Sequence, residues 1–210
     1  MNDLEKQQKA FQMFINRNQK KYKKTSNVSQ EVILKYKNIA PKELITIWED
    51  MGFGIYEDGF LQLVNPEEYD FVFTYIDKQL EPAFVIGITA MGDIILWEGS
   101  EGKSVASDEG NRCKIILLDE STGIASTNIS YFLGLFISNE DAIKDPDFFN
   151  SKRYFDIKNK LPKLDYGQCY GYLPALALGG KEKIENLQIV DAKTYINIIG
   201  EAVGKIYTKN

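Results

Sequence analysis

The hydrophobic periodicity of the chain changes after its first quarter, and this change constrains the fold more than any other feature. Before it, apolar residues recur at helical spacing in segments 4–18 and 42–51. After it, three nearly continuous apolar runs follow at 83–90, 94–97 and 113–118. Short runs of this kind predict buried strands, so we expect the first 120 residues to form helices packed on an antiparallel, meander-like sheet.

Two local motifs refine this expectation. Asp58-Gly59 separates Gly-Ile-Tyr from Phe-Leu-Gln-Leu-Val, and an Asp-Gly pair between two β-rich runs predicts a hairpin. Asn65-Pro66 predicts a helix start, because asparagine caps helices and proline suits the first helical position.

The second half is predicted to be mainly helical. Apolar residues at helical spacing occupy 129–137 and 147–161, and Asp191 is positioned to cap a final helix. Segment 165–180 is rich in Gly, Tyr and Leu and is expected to be irregular, with its apolar run 173–178 in the core.

The expected fold class is therefore α+β, with N-terminal helices on a mainly antiparallel sheet and a mainly helical C-terminal half. A Ser/Thr/Gly stretch at 120–128 is the predicted boundary. It divides the chain into domains 1–120 and 121–210, which we expect to pack together as one compact unit.

The 210 residues contain no histidine, which excludes Ser-His-Asp and Cys-His catalysis and histidine-based metal sites. The two cysteines, Cys113 and Cys169, cannot form a four-thiolate site, so we expect no metal. Neither a dinucleotide-binding nor a P-loop motif is present, and no cofactor is expected. Carboxylates, lysines and tyrosines remain available for catalysis.

Targeting features are also sparse. Residues 1–9 are polar and lack the apolar region of a signal peptide, and no apolar run approaches the length of a membrane span. We therefore expect a cytoplasmic protein with reduced thiols and no membrane partner.

The net charge is −5, from 30 acidic and 25 basic residues, which argues against direct nucleic-acid binding. Basic residues do cluster within 17–24, at Arg17, Lys20, Lys21, Lys23 and Lys24. We interpret them as a solvated helix end rather than a phosphate-binding patch. A mildly acidic surface suits a basic protein partner, such as a nuclease.

Several residues are candidates for a functional site. Asp93 follows Gly92 at a tight turn, where its carboxylate is either functional or, as we favour, part of an Asx turn. Gly179-Gly180-Lys181 lacks the remainder of a phosphate loop and is interpreted as a turn. Cys169 has no histidine base and is interpreted as a buried structural thiol.

The segment Cys-Tyr-Gly-Tyr-Leu-Pro-Ala-Leu-Ala-Leu-Gly-Gly at 169–180, followed by Glu185-Asn186-Leu187, resembles a known family signature. It is similar to the C-terminal domain of type VI secretion DNase immunity proteins, over roughly 127–206. The signature residues in this chain are Tyr170, Gly171, Pro174, Gly179 and Gly180.

The N-terminal half, over about 10–115, resembles the GAD-like domain. The similar pieces include Pro-Lys-Glu-Leu at 41–44, Asn-Pro-Glu-Glu-Tyr at 65–69, and Thr-Ala-Met-Gly-Asp at 89–93 with Trp97. Gly92 and Asp93 carry the last of these motifs, in which Met91 replaces an expected aromatic residue.

The resemblance implies an immunity protein, without catalytic residues, that binds a cognate toxin, commonly a nuclease, and covers its active site or DNA groove. As partner-binding candidates we select three loop acids and two aromatic anchors: Glu101, Asp108, Glu109, Trp97 and Tyr172. Two alternatives stay open. One is a small-molecule or nucleotide-binding regulatory module, and the other is an enzyme using Asp93 with Tyr170 or Tyr172.

Overall fold

The computed structural model describes residues 2–19, 21–78, 80–99, 111–145 and 152–209. Its α-helices are α1 (Asp3–Asn18), α2 (Gln30–Tyr36), α3 (Lys42–Asp50), α4 (Ile129–Tyr131), α5 (Glu140–Lys144), α6 (Lys152–Ile157) and α7 (Ala192–Val203). Its 3-10 helices are Glu57–Gly59, Pro66–Thr74, Leu118–Glu120, Leu176–Leu178 and Ile184–Asn186. A π-helix, Phe132–Ile137, continues directly from α4.

The strands form one large sheet and one hairpin. They are β1 (Lys23–Ser26), β2 (Phe53–Tyr56), β3 (Leu61–Leu63), β4 (Ala83–Thr89), β5 (Ile94–Glu98), β6 (Arg112–Leu117), β7 (Thr122–Ala125), β8 (Gln168–Tyr172), β9 (Leu187–Asp191) and β10 (Tyr207–Lys209). The sheet order among the described residues is β1-β2-β3-β4-β5-β6-β7-β10, and β8 pairs with β9 alone. The first seven strands are antiparallel neighbours, and β10 joins β7 in parallel. The predicted α+β class is confirmed.

Helices cover both faces of the sheet. Alternate side chains of β5, such as Ile95 and Trp97, enter a core completed by α1, α2, α3 and the π-helix. The intervening residues, such as Ile94 and Leu96, enter a second core beneath α7 and the helix Pro66–Thr74. Burial on both faces explains why the central strands are continuous apolar runs in the sequence.

The local motifs folded as their residues predict. The Asp58-Gly59 motif closes the β2–β3 hairpin, and Asp58 adopts a positive φ of 60°. Asn65 caps the helix that begins at Pro66, which is a 3-10 helix. Asp191 accepts a hydrogen bond from the backbone N–H of Thr194 and so caps α7.

Segment 165–180 was expected to be irregular, and this expectation is wrong at its centre. Residues 168–172 form β8, whose partner β9 begins only after an intervening loop of 14 residues, 173–186. The expectation that 173–178 lies in the core is also wrong for its ends. Leu173 is 44% exposed and Leu178 is 49% exposed, because this run lies in the loop between the two strands.

The two halves of the chain share the large sheet. Strand β7 lies within the predicted boundary segment 120–128 and pairs with β6, so the segment is part of the sheet. The division of the chain into domains 1–120 and 121–210 therefore stays a prediction. None of the helices in the described ranges has the length and apolar character needed to cross a membrane.

Candidate partner-binding site

Asp93 lies in a tight turn between β4 and β5 that is organised by a threonine hydroxyl. The Oγ1 atom of Thr89 accepts hydrogen bonds from the backbone N–H groups of Met91 and Asp93, at 3.2 and 3.1 Å. The same hydroxyl donates to Oδ2 of Asp93 at 3.0 Å. Gly92 has a φ of +86°, which favours glycine. The turn is thus closed through Thr89, rather than through an Asx bond from Asp93 as we had favoured.

The Asp93 carboxyl is buried, and its electrostatics follow from that burial. The pKa of Asp93 is raised to about 7, mainly by loss of solvation and next by the neighbouring carboxylate of Asp119, while the hydrogen bond from Thr89 opposes the rise. Arg153 also lowers this pKa, and Glu120 raises it. Near neutral pH the group therefore exists in both protonation states.

This shift predicts a specific pH dependence of stability. Between pH 4 and pH 7 the folded state keeps a proton on Asp93 that the unfolded chain has released, so the contribution of this group to stability falls as pH rises. The full effect is about 4 kcal/mol at most. Asp93→Asn keeps an acceptor for Thr89 but does not titrate. We expect it to be more stable than the wild type at pH 8 and not at pH 4, as measured by urea unfolding.

The matched control is Asp165→Asn, because the Asp165 side chain is exposed. Its stability relative to the wild type should change little over the same pH range. If the difference between Asp93→Asn and the wild type is the same at pH 4 and pH 8, the buried carboxyl does not titrate as described.

Arg153 connects this region to the surface. Its Nη1 lies 3.2 Å from Oδ2 of Asp119, and its Nε donates to Oε1 of Glu182 at 2.7 Å. The guanidinium also lies over the ring of Tyr172, 5.7 Å from its centroid. Burial raises the pKa of Asp119, and Arg153 opposes that rise. Neither Asp119 nor Arg153 stood out in the sequence, because no motif marks them.

The tyrosines considered as catalytic partners of Asp93 have other contacts. The hydroxyl of Tyr170 donates to the backbone oxygen of Pro162 at 2.7 Å. Burial raises the pKa of Tyr170 and of Tyr172, which disfavours their phenolate forms near neutrality. Among the described residues, no hydrogen bond joins either phenol to Asp93.

The signature residues bring β8 and the following loop close to their neighbours. The backbone N–H of Tyr170 donates to the oxygen of Ala90 at 2.8 Å and so joins β8 to the turn of Asp93. A Cβ atom at Gly171 would lie 2.7 Å from the ring of Tyr195, and one at Gly180 would lie 1.9 Å from the oxygen of Pro174. Gly179 has a φ of +82°. Gly171 and Gly180 therefore have packing roles, whereas Gly179 supplies a backbone conformation that favours glycine.

The structure places the two predicted aromatic anchors inside the protein. Trp97 is fully buried against Phe84, with ring centroids 5.2 Å apart, and Tyr172 is only 3% exposed. The prediction that they contact a partner therefore conflicts with their positions. Trp97 lies on a central strand whose two faces are both covered by helices, and its side chain enters the core beneath α1, α2 and α3. The predicted acids Glu101, Asp108 and Glu109 lie outside the described residues.

An apolar surface loop lies beyond the hairpin β8–β9. Leu173, Leu178 and Ile184 are all at least 41% exposed, within the 14-residue connection between the two strands. In the sequence, the Gly179-Gly180 turn and the charged residues that follow it indicate a surface loop. Exposed aliphatic residues of this kind are available for contact with another protein.

A cleft lined by four lysines lies where the two halves of the chain meet. It has a volume of about 450 Å³. We call it the lysine cleft, and its lining consists of Lys21, Lys23, Ile55, Asp58, Gly59, Tyr154, Lys158, Asn159, Lys163, Leu164, Asp165 and Tyr170. Lys21 and Lys23 belong to the basic run noted in the sequence, but no sequence pattern connected them with Lys158 and Lys163.

Metal and thiol chemistry have little support in the described ranges. Within them, no group of three or more His, Cys, Asp or Glu side chains is arranged to hold a metal ion. Cys113 and Cys169 are free and buried, and burial raises the pKa of both thiols. The reactive thiolate form is therefore disfavoured.

Comparisons with known proteins match two successive segments of the chain to two different family models. Residues 9–108 match the family model of the GAD-like domain, and residues 126–202 match the family model described as T6SS immunity protein Tdi1, C-terminal. The fold is similar to the crystal structure of Atu4351 from Agrobacterium tumefaciens, with a TM-score of 0.70 and 23% identity. That match covers 91% of this chain and 89% of the other. No curated protein matches the chain.

Proposed function

We propose that this bacterial immunity protein, a GAD-like domain followed by a Tdi1-type C-terminal domain, neutralises a nuclease toxin by covering its active site. The match of residues 126–202 to an immunity-protein domain is the observation that carries the proposal. The protein acts by binding and turns over no substrate. We place this encounter in the cytoplasm, where a toxin that cleaves DNA would have its target.

Charge supports a nuclease as the partner. A nuclease needs a basic groove for DNA, because most of its affinity comes from phosphate contacts. The net charge of −5 on this chain gives long-range attraction to such a groove and repulsion from DNA itself. Electrostatic steering of this kind raises association rates and weakens as salt screens it.

Inhibition of DNA cleavage tests the proposal. The toxin domain bound by this protein in its native cells would be purified and assayed on plasmid DNA with increasing amounts of the immunity protein. We expect cleavage to stop at a one-to-one ratio, because occlusion is stoichiometric. A bound toxin that cleaves DNA at an unchanged rate would contradict occlusion, and one with no nuclease activity would contradict the nuclease assignment.

The three acids selected from the sequence as partner-binding candidates are expected to affect the rate of toxin association. Reversing Glu101, Asp108 and Glu109 to lysine should slow toxin association and reduce its salt dependence, because rim charges act mainly on the association rate. Stopped-flow association at several salt concentrations measures this. The matched control reverses Glu31, Glu49 and Asp50, which are exposed on α2 and α3. Equal rates for the two triple variants would show that the interface is elsewhere.

A further inference from the structure

The lysine cleft concentrates positive charge in a protein that is acidic overall. Lys21 and Lys23 come from the end of α1 and strand β1, whereas Lys158 and Lys163 follow α6. The carboxylates in the lining are Asp58 and Asp165. The cleft therefore carries four cationic and two anionic side chains, while the chain as a whole has a net charge of −5.

Most of these cations have no ion pair within the described residues. The Lys23 ammonium lies 3.2 Å from Oδ1 of Asp165, and both side chains are largely exposed. Within the same described ranges, no carboxylate lies within ion-pairing distance of Lys21, Lys158 or Lys163. Lys158 instead lies over the ring of Phe155, 4.8 Å from its centroid. These ammonium groups can therefore bind an anion without first breaking an ion pair.

We propose that the lysine cleft receives a carboxylate-bearing segment of the toxin, an inference that rests on the proposed function. The volume of about 450 Å³ lies within the range of ligand-binding clefts. The walls add apolar surface from Ile55 and Leu164 to the charged groups, and the Asn159 side chain can both donate and accept hydrogen bonds.

This lining fits a peptide segment better than a phosphate group. A peptide carries apolar, polar and acidic groups together, and each finds a counterpart in the cleft. A polyphosphate would bring several negative charges close to Asp58 and Asp165, whereas a peptide can place one carboxylate at the lysines and neutral groups beside the two acids. The cleft also has no arginine for bidentate contact with phosphate oxygens. An acidic protein segment is therefore the occupant that we favour.

The proposed occupant also gives occlusion a chemical basis. Nucleases commonly use metal ions that are held by carboxylate oxygens. Lysine ammonium groups that bind such carboxylates would occupy the positions of the cations and neutralise the same charges. The basic cleft would then engage the acidic centre of the toxin, while the acidic remainder of the protein faces the basic DNA groove around it.

A charge-reversal variant with a matched control tests this inference. The cleft variant carries Lys21→Glu, Lys23→Glu, Lys158→Glu and Lys163→Glu. The control carries the same change at four exposed lysines outside the cleft lining, namely Lys6→Glu, Lys9→Glu, Lys37→Glu and Lys205→Glu. Both variants change the net charge equally. Circular dichroism and melting temperature would establish that both fold.

Binding would be measured with the toxin domain captured from native cells by the wild-type chain. We expect the cleft variant to bind at least about tenfold more weakly than the control. Zero-length carbodiimide cross-linking of the wild-type complex should join cleft lysines to toxin Asp or Glu residues, as mapped by mass spectrometry. Equal affinity of the two variants, or cross-links only at other lysines, would overturn the cleft assignment while leaving the immunity function intact.

Two further outcomes would also be decisive. If the wild-type chain captures no toxin from cells shown to express one, the proposed function fails and the inference fails with it. If ATP or pyrophosphate raises the melting temperature of the wild type but not of the cleft variant, the cleft is a phosphate site, which overturns the peptide assignment.

Discussion

Replacing Gly134 with alanine is expected to destabilise the protein by about 3 kcal/mol or more. Gly134 lies in the π-helix that packs on α1. A Cβ atom there would lie 1.9 Å from the backbone oxygen of Ala10 and 2.3 Å from its carbonyl carbon. These are main-chain atoms, so the clash can be relieved only by moving one helix away from the other.

The sign of the change in stability distinguishes the packing clash at position 134 from the intrinsic helix propensity of alanine. Replacing glycine by alanine inside a helix normally adds about 0.5–1 kcal/mol of stability. For a chain of this length the packing clash should instead lower the melting temperature by roughly 6–12 °C. Leu135→Ala is the neighbouring control, since Leu135 is 44% exposed, and its effect should be small. An unchanged or higher melting temperature for Gly134→Ala would show that α1 is not in contact with the π-helix.

The contact between Ala10 and Gly134 also joins the two segments that match family models, 9–108 and 126–202. At the C-terminal end of α1, Glu57 accepts hydrogen bonds from the side chains of Asn18 at 2.6 Å and Ser138 at 3.2 Å. Glu57 and Asn18 lie in the GAD-like segment, and Ser138 lies in the Tdi1-type segment. Loss of the contact at Gly134 is therefore expected to loosen both halves together, in one cooperative transition.

Glu98→Gln is expected to cost about 3–5 kcal/mol, because it leaves a buried lysine without its carboxylate. The side chains of Glu98 and Lys114 are fully buried, and the Lys114 ammonium lies 3.1 Å from Oε2 of Glu98. Burial lowers the pKa of Lys114, and Glu98 is the main group that opposes this. Urea unfolding at pH 7 measures the loss.

Lys114→Met is the matched variant and should cost less. It removes the buried cation, and Glu98 keeps Arg112, whose Nε lies 3.0 Å from Oε1. The Glu98→Gln variant should also regain stability as the pH rises toward the ordinary lysine pKa of about 10.4, since its folded state releases the Lys114 proton before the unfolded chain does. If Lys114→Met is as damaging as Glu98→Gln, the loss in Glu98→Gln does not come from an uncompensated buried cation, because methionine keeps the apolar stem and removes the charge.

The sequence predicted those parts of the fold that depend on local chemistry. Strands β4, β5 and β6 were recognisable because both of their faces are buried and their apolar runs are therefore continuous. The Asp58-Gly59 turn and the Asp191 cap were recognisable because their backbone geometry favours particular residue types.

The parts that depend on distant pairing could not be predicted in this way. Strand β8 has the sequence Gln-Cys-Tyr-Gly-Tyr, and it is recognisable as a strand only from its pairing with β9. The lysine cleft joins residues that are more than a hundred positions apart. Trp97 resembled an anchor because it is a large aromatic residue that directly precedes an acidic connection in the sequence, but helices cover both faces of its strand and bury the side chain.

Capture of the partner from native cells tests whether this chain is an immunity protein. A tagged copy of this chain would be expressed in its native cells, and the proteins that copurify with it would be identified by mass spectrometry. We expect a single toxin domain in one-to-one stoichiometry, retained through a high-salt wash because binding does not depend on charge alone. Recovery of no toxin, from cells shown to express one, would contradict the assignment of this protein as an immunity protein.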